Sequence, residues 1–288
     1  MALPTFFIVG AAKAGTTSLH FYLDQHPQIQ MSEPKEPHFF AGAENGIPFP
    51  PERVEALGAY EALFDPGFEV RGEASPSYTN FPRRQGVPER IGELVPEAKF
   101  IYLVRDPVER TVSHYRHSVA AGKEQRPLSD AIAELGDDPY SYLACHSLYG
   151  RQLELYLRRF SAEQMMVIDQ VQLLEDRDET LRRVFSFLAV DESFTSERFG
   201  AELWKTDGRR ASPPGQAGFI GRVVAPRAQW VPAGARSFAR RSFERAFWSP
   251  LEAPFLDEES RARLQEFFAE DVARLRALSG ERFPSWSV

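Results

Sequence analysis

A chain of 288 residues, 43% hydrophobic and 26% charged, is long enough to bury one substantial core and fits neither a disordered nor a membrane-embedded class. The net charge of -7 argues against general nucleic-acid binding, and Cys145, the only cysteine, can form no intrachain disulfide. That suits a reducing compartment, so cytoplasm is the expected location. No apolar run approaches the roughly 20 residues of a bilayer span, and the opening Met-Ala-Leu-Pro-Thr-Phe-Phe lacks the basic flank of a signal peptide.

In chain order, Thr5 to Val9 reads as a β-branched and aromatic strand, followed by a glycine-bearing turn and a helix over Thr16 to Gln25 with Leu19, Tyr22 and Leu23 at helical spacing. Further strands are predicted at Phe68 to Gly72, Lys99 to Val104 and Met165 to Ile168. Helices are predicted at Pro88 to Val95, from Pro107 onward, around Tyr142 to Arg159, and at Glu258 to Leu278. Short strands alternating with helices imply βαβ units, hence a three-layer α/β fold with a central, mostly parallel sheet.

Gly10-Ala11-Ala12-Lys13-Ala14-Gly15-Thr16-Thr17 joins the first strand to the first helix. Backbone N–H groups in such a turn, with the helix N-terminus, form a site for phosphate-like anions. The glycine spacing is that of a Walker A loop, but Thr16 stands where the lysine belongs and Lys13 lies three positions earlier. A lysine on the crest of the turn can reach the bridging oxygen on which charge grows as a bond breaks. Glycines serving turn geometry alone are the plainer alternative.

Ile8 to Leu19, with His26-Pro27 and Lys35-Glu36-Pro37-His38-Phe39-Phe40, resembles the 5'-phosphosulfate signature of sulfotransferases that use 3'-phosphoadenosine-5'-phosphosulfate (PAPS). The pattern is most similar to the heparan sulfate N- and O-sulfotransferases and their bacterial relatives, over residues 5 to about 190. The resemblance implies a P-loop-like fold in one domain, 1–288, with region 200–288 completing the cofactor and acceptor sites. It implies PAPS as sulfuryl donor, held by Lys13, Ala14, Gly15, Thr16, Thr17 and Ser18.

Lys99 to Tyr115 is similar to the family's 3'-phosphate segment, which assigns that phosphate to Arg105 and Ser113. The residues suit the role: Arg105 leaves the carboxyl end of a buried strand, where open α/β sheets bind ligands, and Asp106 and Pro107 are suited to begin a helix. Ser113 lies nearly two turns along. A guanidinium matches a phosphate monoester bidentately.

By resemblance Glu36 occupies the position of the catalytic base, while His38 is a rival whose intrinsic pKa is closer to neutrality. Glu73 and Tyr78 match the family's Glu-Lys-x-Pro-x-Tyr stretch near the acceptor, with Ala74 in place of the lysine. A strand-end carboxylate bonding its neighbours is the other reading of Glu73. Gly208 and Arg209 resemble a late loop that folds over PAPS, though Arg209 also fits a solvent-facing place. The acceptor is expected to be a small molecule, a glycan or a lipid.

No metal is expected: His114 and His117 lie three apart on one helix, but no third ligand is evident. Eight arginines against one acid, Glu244, fall between Gly208 and Arg245. The stretch 235–248 reads as a basic amphipathic helix, which either packs its phenylalanines on the core or makes weak contact with an anionic membrane. Two other readings remain open, a small-molecule kinase and a non-catalytic nucleotide-binding scaffold, and the oligomeric state is open too.

Overall fold

Five residues, Phe6–Gly10, form β1, and all five are buried, as a strand covered on both faces must be. The computed structural model describes residues 2–42, 53–135, 138, 141–200, 210–211, 249–250 and 255–288. Parallel to β1 on one side runs β3 (Val70–Ala74), with β2 (Ile29–Met31) beyond it. On the other side runs β4 (Lys99–Val104), followed by β5 (Met165–Asp169). The order β2-β3-β1-β4-β5 is parallel throughout, which sharpens the mostly parallel expectation.

Helices α1 (Thr16–Leu23), α2 (Leu57–Glu61), α3 (Val87–Leu94) and α4 (Pro107–Ala120) alternate with the first strands. They are followed by α5 (Leu128–Ala133), α6 (Tyr142–Cys145), α7 (Tyr149–Leu157), α8 (Gln170–Glu175), α9 (Arg177–Leu188) and α10 (Glu258–Ser279). Aromatic rings knit strands to helices: Phe7 stacks on Phe100 at 5.7 Å, and Phe100 meets Phe160 of the loop after α7 at 4.4 Å. No described helix is long and apolar enough to cross a membrane.

Helices α2, α5, α8 and α9 lie outside the sequence expectation, β3 runs two residues later than Phe68 to Gly72, and two further departures have a clear cause. The three-residue β2 was not foreseen, because Ile29-Gln30-Met31 is too short to show a period. The single helix expected around Tyr142 to Arg159 is two, α6 and α7, because α4 diverts the carbonyl that would continue the first. The Leu143 carbonyl accepts from the Arg110 guanidinium, and the Ser147 amide turns to Ala144 instead, at 2.8 Å.

α7 then starts afresh under a cap from α10: the Asp271 carboxylate accepts the Gly150 and Arg151 amides, both at 2.8 Å. Gly150 permits this approach, since a Cβ there would lie 2.4 Å from the Asp271 carbonyl oxygen.

Candidate active site

After β1 the chain builds β2 and β3 on one side of it, then crosses to build β4 and β5 on the other. At such a switch point a crevice opens outside the carboxyl ends of the strands. The Gly10–Gly15 loop and Arg105 are brought to this place, one at the end of β1 and the other at the end of β4.

The loop is fastened on both sides. The Ala11 amide donates to Leu103 of β4 at 2.6 Å, and the Thr79 hydroxyl donates to the Val9 carbonyl at 2.9 Å. Gly10 lies so close to this hydroxyl that a Cβ would sit 2.0 Å from Thr79 Oγ1. Lys13 and Gly15 take left-handed backbone angles, φ 74° and 100°, which turn the chain into α1.

No side chain caps that helix. Among the five amides from Ala14 to Ser18, Ala14 and Ser18 donate within the loop, to Ala11 at 3.1 Å and Gly15 at 3.0 Å. The amides of Gly15, Thr16 and Thr17 meet no acceptor among the described residues. Three converging N–H groups at a positive helix end make an anion cradle.

Asp106 caps α4, accepting the Val108 and Glu109 amides at 2.9 and 3.0 Å, and Pro107 takes the first helical position as expected. The half-buried Arg105 faces Glu109 at 3.9 Å, beyond hydrogen-bond length. Ser113, buried on the same helix, has a hydroxyl bonded to no described residue. One turn before it, Arg110 is wholly buried and donates to Ser147, Leu143 and His114, with no carboxylate among these partners. Burial lowers its pKa to about 10, so it stays charged at neutrality. A buried guanidinium left without an anion raises the local potential of the crevice.

His114 accepts from Arg110 through Nδ1 at 2.8 Å, which leaves the proton of the neutral ring on Nε2. Burial, with Arg110 beside it, holds this imidazole well below its ordinary pKa. Its ring lies 6.5 Å from that of His117, and among the described residues no group of three or more His, Cys, Asp or Glu is placed to hold a metal.

On the β3 side of β1, the loop carrying Glu36 and His38 is laced to the strand end. Ser32 donates its amide to Gly72 at 2.8 Å, and Ala74 donates to Lys35 at 3.2 Å. Glu36 pairs with the Lys35 ammonium at 2.7 Å, and the His38 ring has Nε2 3.5 Å from Glu36 and Nδ1 2.8 Å from the Ser77 hydroxyl. Glu36 is 41% exposed, whereas the His38 ring is 8% exposed. Of the two candidate bases, Glu36 is the more open to solvent.

Glu73 does not reach open space. It is fully buried and accepts from Tyr60 at 2.7 Å, Tyr78 at 2.9 Å and Ser75 at 2.9 Å. Burial raises its pKa to about 7, against the pull of those three hydroxyls, with Glu36 adding to the rise. Tyr78 is buried too. Both therefore act on the site through the loop: Ser75 Oγ accepts the His38 amide at 3.2 Å, and the Tyr78 hydroxyl accepts the Phe40 amide at 3.1 Å.

A family model described as "Sulfotransferase domain" matches residues 3–201. The chain belongs to this sulfotransferase family. The mouse protein named heparan sulfate glucosamine 3-O-sulfotransferase 3A1 is 31% identical over 204 residues, 68% of this chain and 48% of the relative. The human bifunctional heparan sulfate N-deacetylase/N-sulfotransferase 2 is 25% identical over an alignment covering 99% of this chain and 31% of its own. The chain thus spans about half the length, or less, of these curated relatives. A solved sulfotransferase from Alicyclobacillus acidocaldarius is 28% identical, with a TM-score of 0.72 and all of both chains covered.

This sulfotransferase has three uncapped amides at the start of α1, beside Lys13, and Arg105 at the end of the adjacent strand β4, two sets of donors that fit a doubly phosphorylated nucleotide, while Arg110 is buried and contributes only its charge. Gly208, Arg209 and the basic stretch 235–248 lie outside the described residues. Sequence reasoning assigned no role to Arg110, Tyr60, Ser75 or Ser77. Arg110 lies inside a recognised segment, but nothing in spacing announces its burial, and Tyr60 meets Glu73 from a separate helix.

Proposed function

We propose that this sulfotransferase moves the sulfuryl group of PAPS to a hydroxyl or amine, releasing adenosine 3',5'-bisphosphate. What carries the reading is the pair of anion-receptive points beyond the carboxyl ends of adjacent strands, the Gly15–Thr17 amides with Lys13 after β1, and Arg105 after β4 with Ser113 of α4. A nucleotide phosphorylated at both 5' and 3' positions needs two such points, and a triphosphate tail does not.

Sulfuryl transfer passes through a loose, in-line transition state, as phosphoryl transfer does, so placement and charge stabilisation supply most of the acceleration. In this reading the amides of Gly15, Thr16 and Thr17 hold the 5' phosphate, and the Lys13 ammonium meets the charge that develops on the leaving oxygen. Arg105 and Ser113 select the 3' phosphate. Glu36 takes the acceptor's proton, and His38, anchored by Ser77, orients it.

The mouse relative is named for heparan sulfate glucosamine and the human one for heparan sulfate, which favours a glycan acceptor here. The fully buried Ala74 leaves out the cation that the family pattern places there, so a less anionic glycan fits better than a heavily sulfated one.

Calorimetry tests the donor. Adenosine 3',5'-bisphosphate should bind at least about tenfold more tightly than ATP, a difference of about 1.4 kcal/mol; preference for ATP overturns the reading. Mass spectrometry of a lysate incubated with the protein and isotope-labelled PAPS should then reveal the sulfated acceptor.

A further inference from the structure

Arg105 sits on a turn held by residues far along the chain. The next residue, Asp106, is buried, and it spends one carboxylate oxygen on the α4 cap while the other accepts the Ser287 amide at 2.5 Å. Beside it in the sheet, Asp169 of β5 pairs in register with Val104 and accepts the Trp286 indole N–H at 2.9 Å.

The segment making both bonds is anchored. Trp286 is buried, stacked on Phe283 at 4.3 Å and packed against Tyr149 at 5.7 Å. Gln265 and Arg276 of α10 hold the Ser287 and Val288 carbonyls at 2.7 and 2.8 Å. α10 also reaches the other flank of the turn: Glu109, 3.9 Å from Arg105, lies 3.6 Å from Arg261. Arg261 thus draws on the carboxylate that would otherwise compete with a ligand for Arg105.

We propose that the segment 283–288, carried on α10, is a specificity-determining brace: by fixing Asp106 it aims the Arg105 guanidinium and sets the preference for nucleotides bearing a 3' phosphate. The proposal rests on the PAPS reading. Its physical basis is that bidentate guanidinium–phosphate contact tolerates little displacement. Asp106 is one peptide link from Arg105, so rotation there swings the guanidinium away from its target. Trp286 and Ser287 act through Asp169 and Asp106, as positioning residues.

The test uses the full chain, with adenosine 3',5'-bisphosphate and adenosine 5'-monophosphate as calorimetric probes. Ser287→Pro deletes the N–H that Asp106 accepts, at an exposed position. Trp286→Phe keeps an aromatic ring and deletes the N–H that Asp169 accepts. Each variant should weaken bisphosphate binding about tenfold, about 1.4 kcal/mol, while monophosphate binding stays within about twofold.

Equal losses for both nucleotides would make the segment a structural filler, and unchanged affinities would deny it any part; either result overturns the brace. Should Trp286→Phe fail to fold, Ser287→Pro decides. A wild-type protein with no preference for the bisphosphate would instead defeat the PAPS reading, so the two failures are distinguishable.

Discussion

The Tyr78 hydroxyl donates to the buried Glu73 carboxylate at 2.9 Å while its oxygen accepts the Phe40 amide at 3.1 Å. Ser75 repeats the arrangement between Glu73 and the His38 amide. Because the carboxylate accepts, both hydroxyls are turned to accept from the loop that carries Glu36 and His38. Glu73 thereby sets the polarity of the lacing.

Its titration should be visible in stability. Burial lifts the Glu73 pKa from 4.5 to about 7, so the folded protein holds this proton more tightly than the unfolded chain does. Its contribution is therefore most favourable below pH 4.5 and declines as pH rises to 7, by at most roughly 3 kcal/mol. Glu36, Tyr60, Tyr78 and Tyr156 are the titratable groups facing it. Denaturant unfolding across this window should show Glu73→Gln gaining on the wild-type protein as pH rises. A constant difference would mean that this carboxyl does not titrate there.

Glu36 and His38 separate by substitution. Glu36→Gln removes the proton acceptor but leaves the amides of Gly15, Thr16 and Thr17 untouched, so turnover should fall at least about a hundredfold. Affinity for adenosine 3',5'-bisphosphate should stay within about twofold, because the loop is laced through its backbone amides. Retained turnover in this variant would pass the base role to His38.

Gly10→Ala tests the nucleotide loop. The added methyl would meet Thr79 Oγ1 at 2.0 Å and force that hydroxyl off the Val9 carbonyl. Overpacking of this kind costs about 1–3 kcal/mol, and the displaced loop should bind the bisphosphate less tightly. Thermal melts and calorimetry on the same preparation check both expectations.

Asp271→Ala strips the cap from α7, leaving the Gly150 and Arg151 amides without their acceptor in a buried place. Each lost partner costs about 1–3 kcal/mol, so urea unfolding should register a loss of about 2 kcal/mol or more. A loss well below 1 kcal/mol would show that water replaces the carboxylate.

What the sequence by itself determined was local. The strand, turn and helix around Gly10–Thr17 and the Arg105-Asp106-Pro107 entry to α4 were legible because their residue types carry local signals, a β-branched and aromatic run ending in glycine for the first and a capping aspartate before proline for the second. The parallel sheet followed from the alternation of such units.

Tertiary structure decided how those pieces meet. That Glu73 is buried beneath Tyr60, that Arg110 breaks the helix expected around Tyr142, and that Asp271 restarts it at Gly150 depend on contacts across 13 to 121 positions. The Trp286–Asp169 bond spans 117. Separations of that kind leave no period in the chain, because the partners are brought together by packing of the apolar faces, and only the packed core sets their distances.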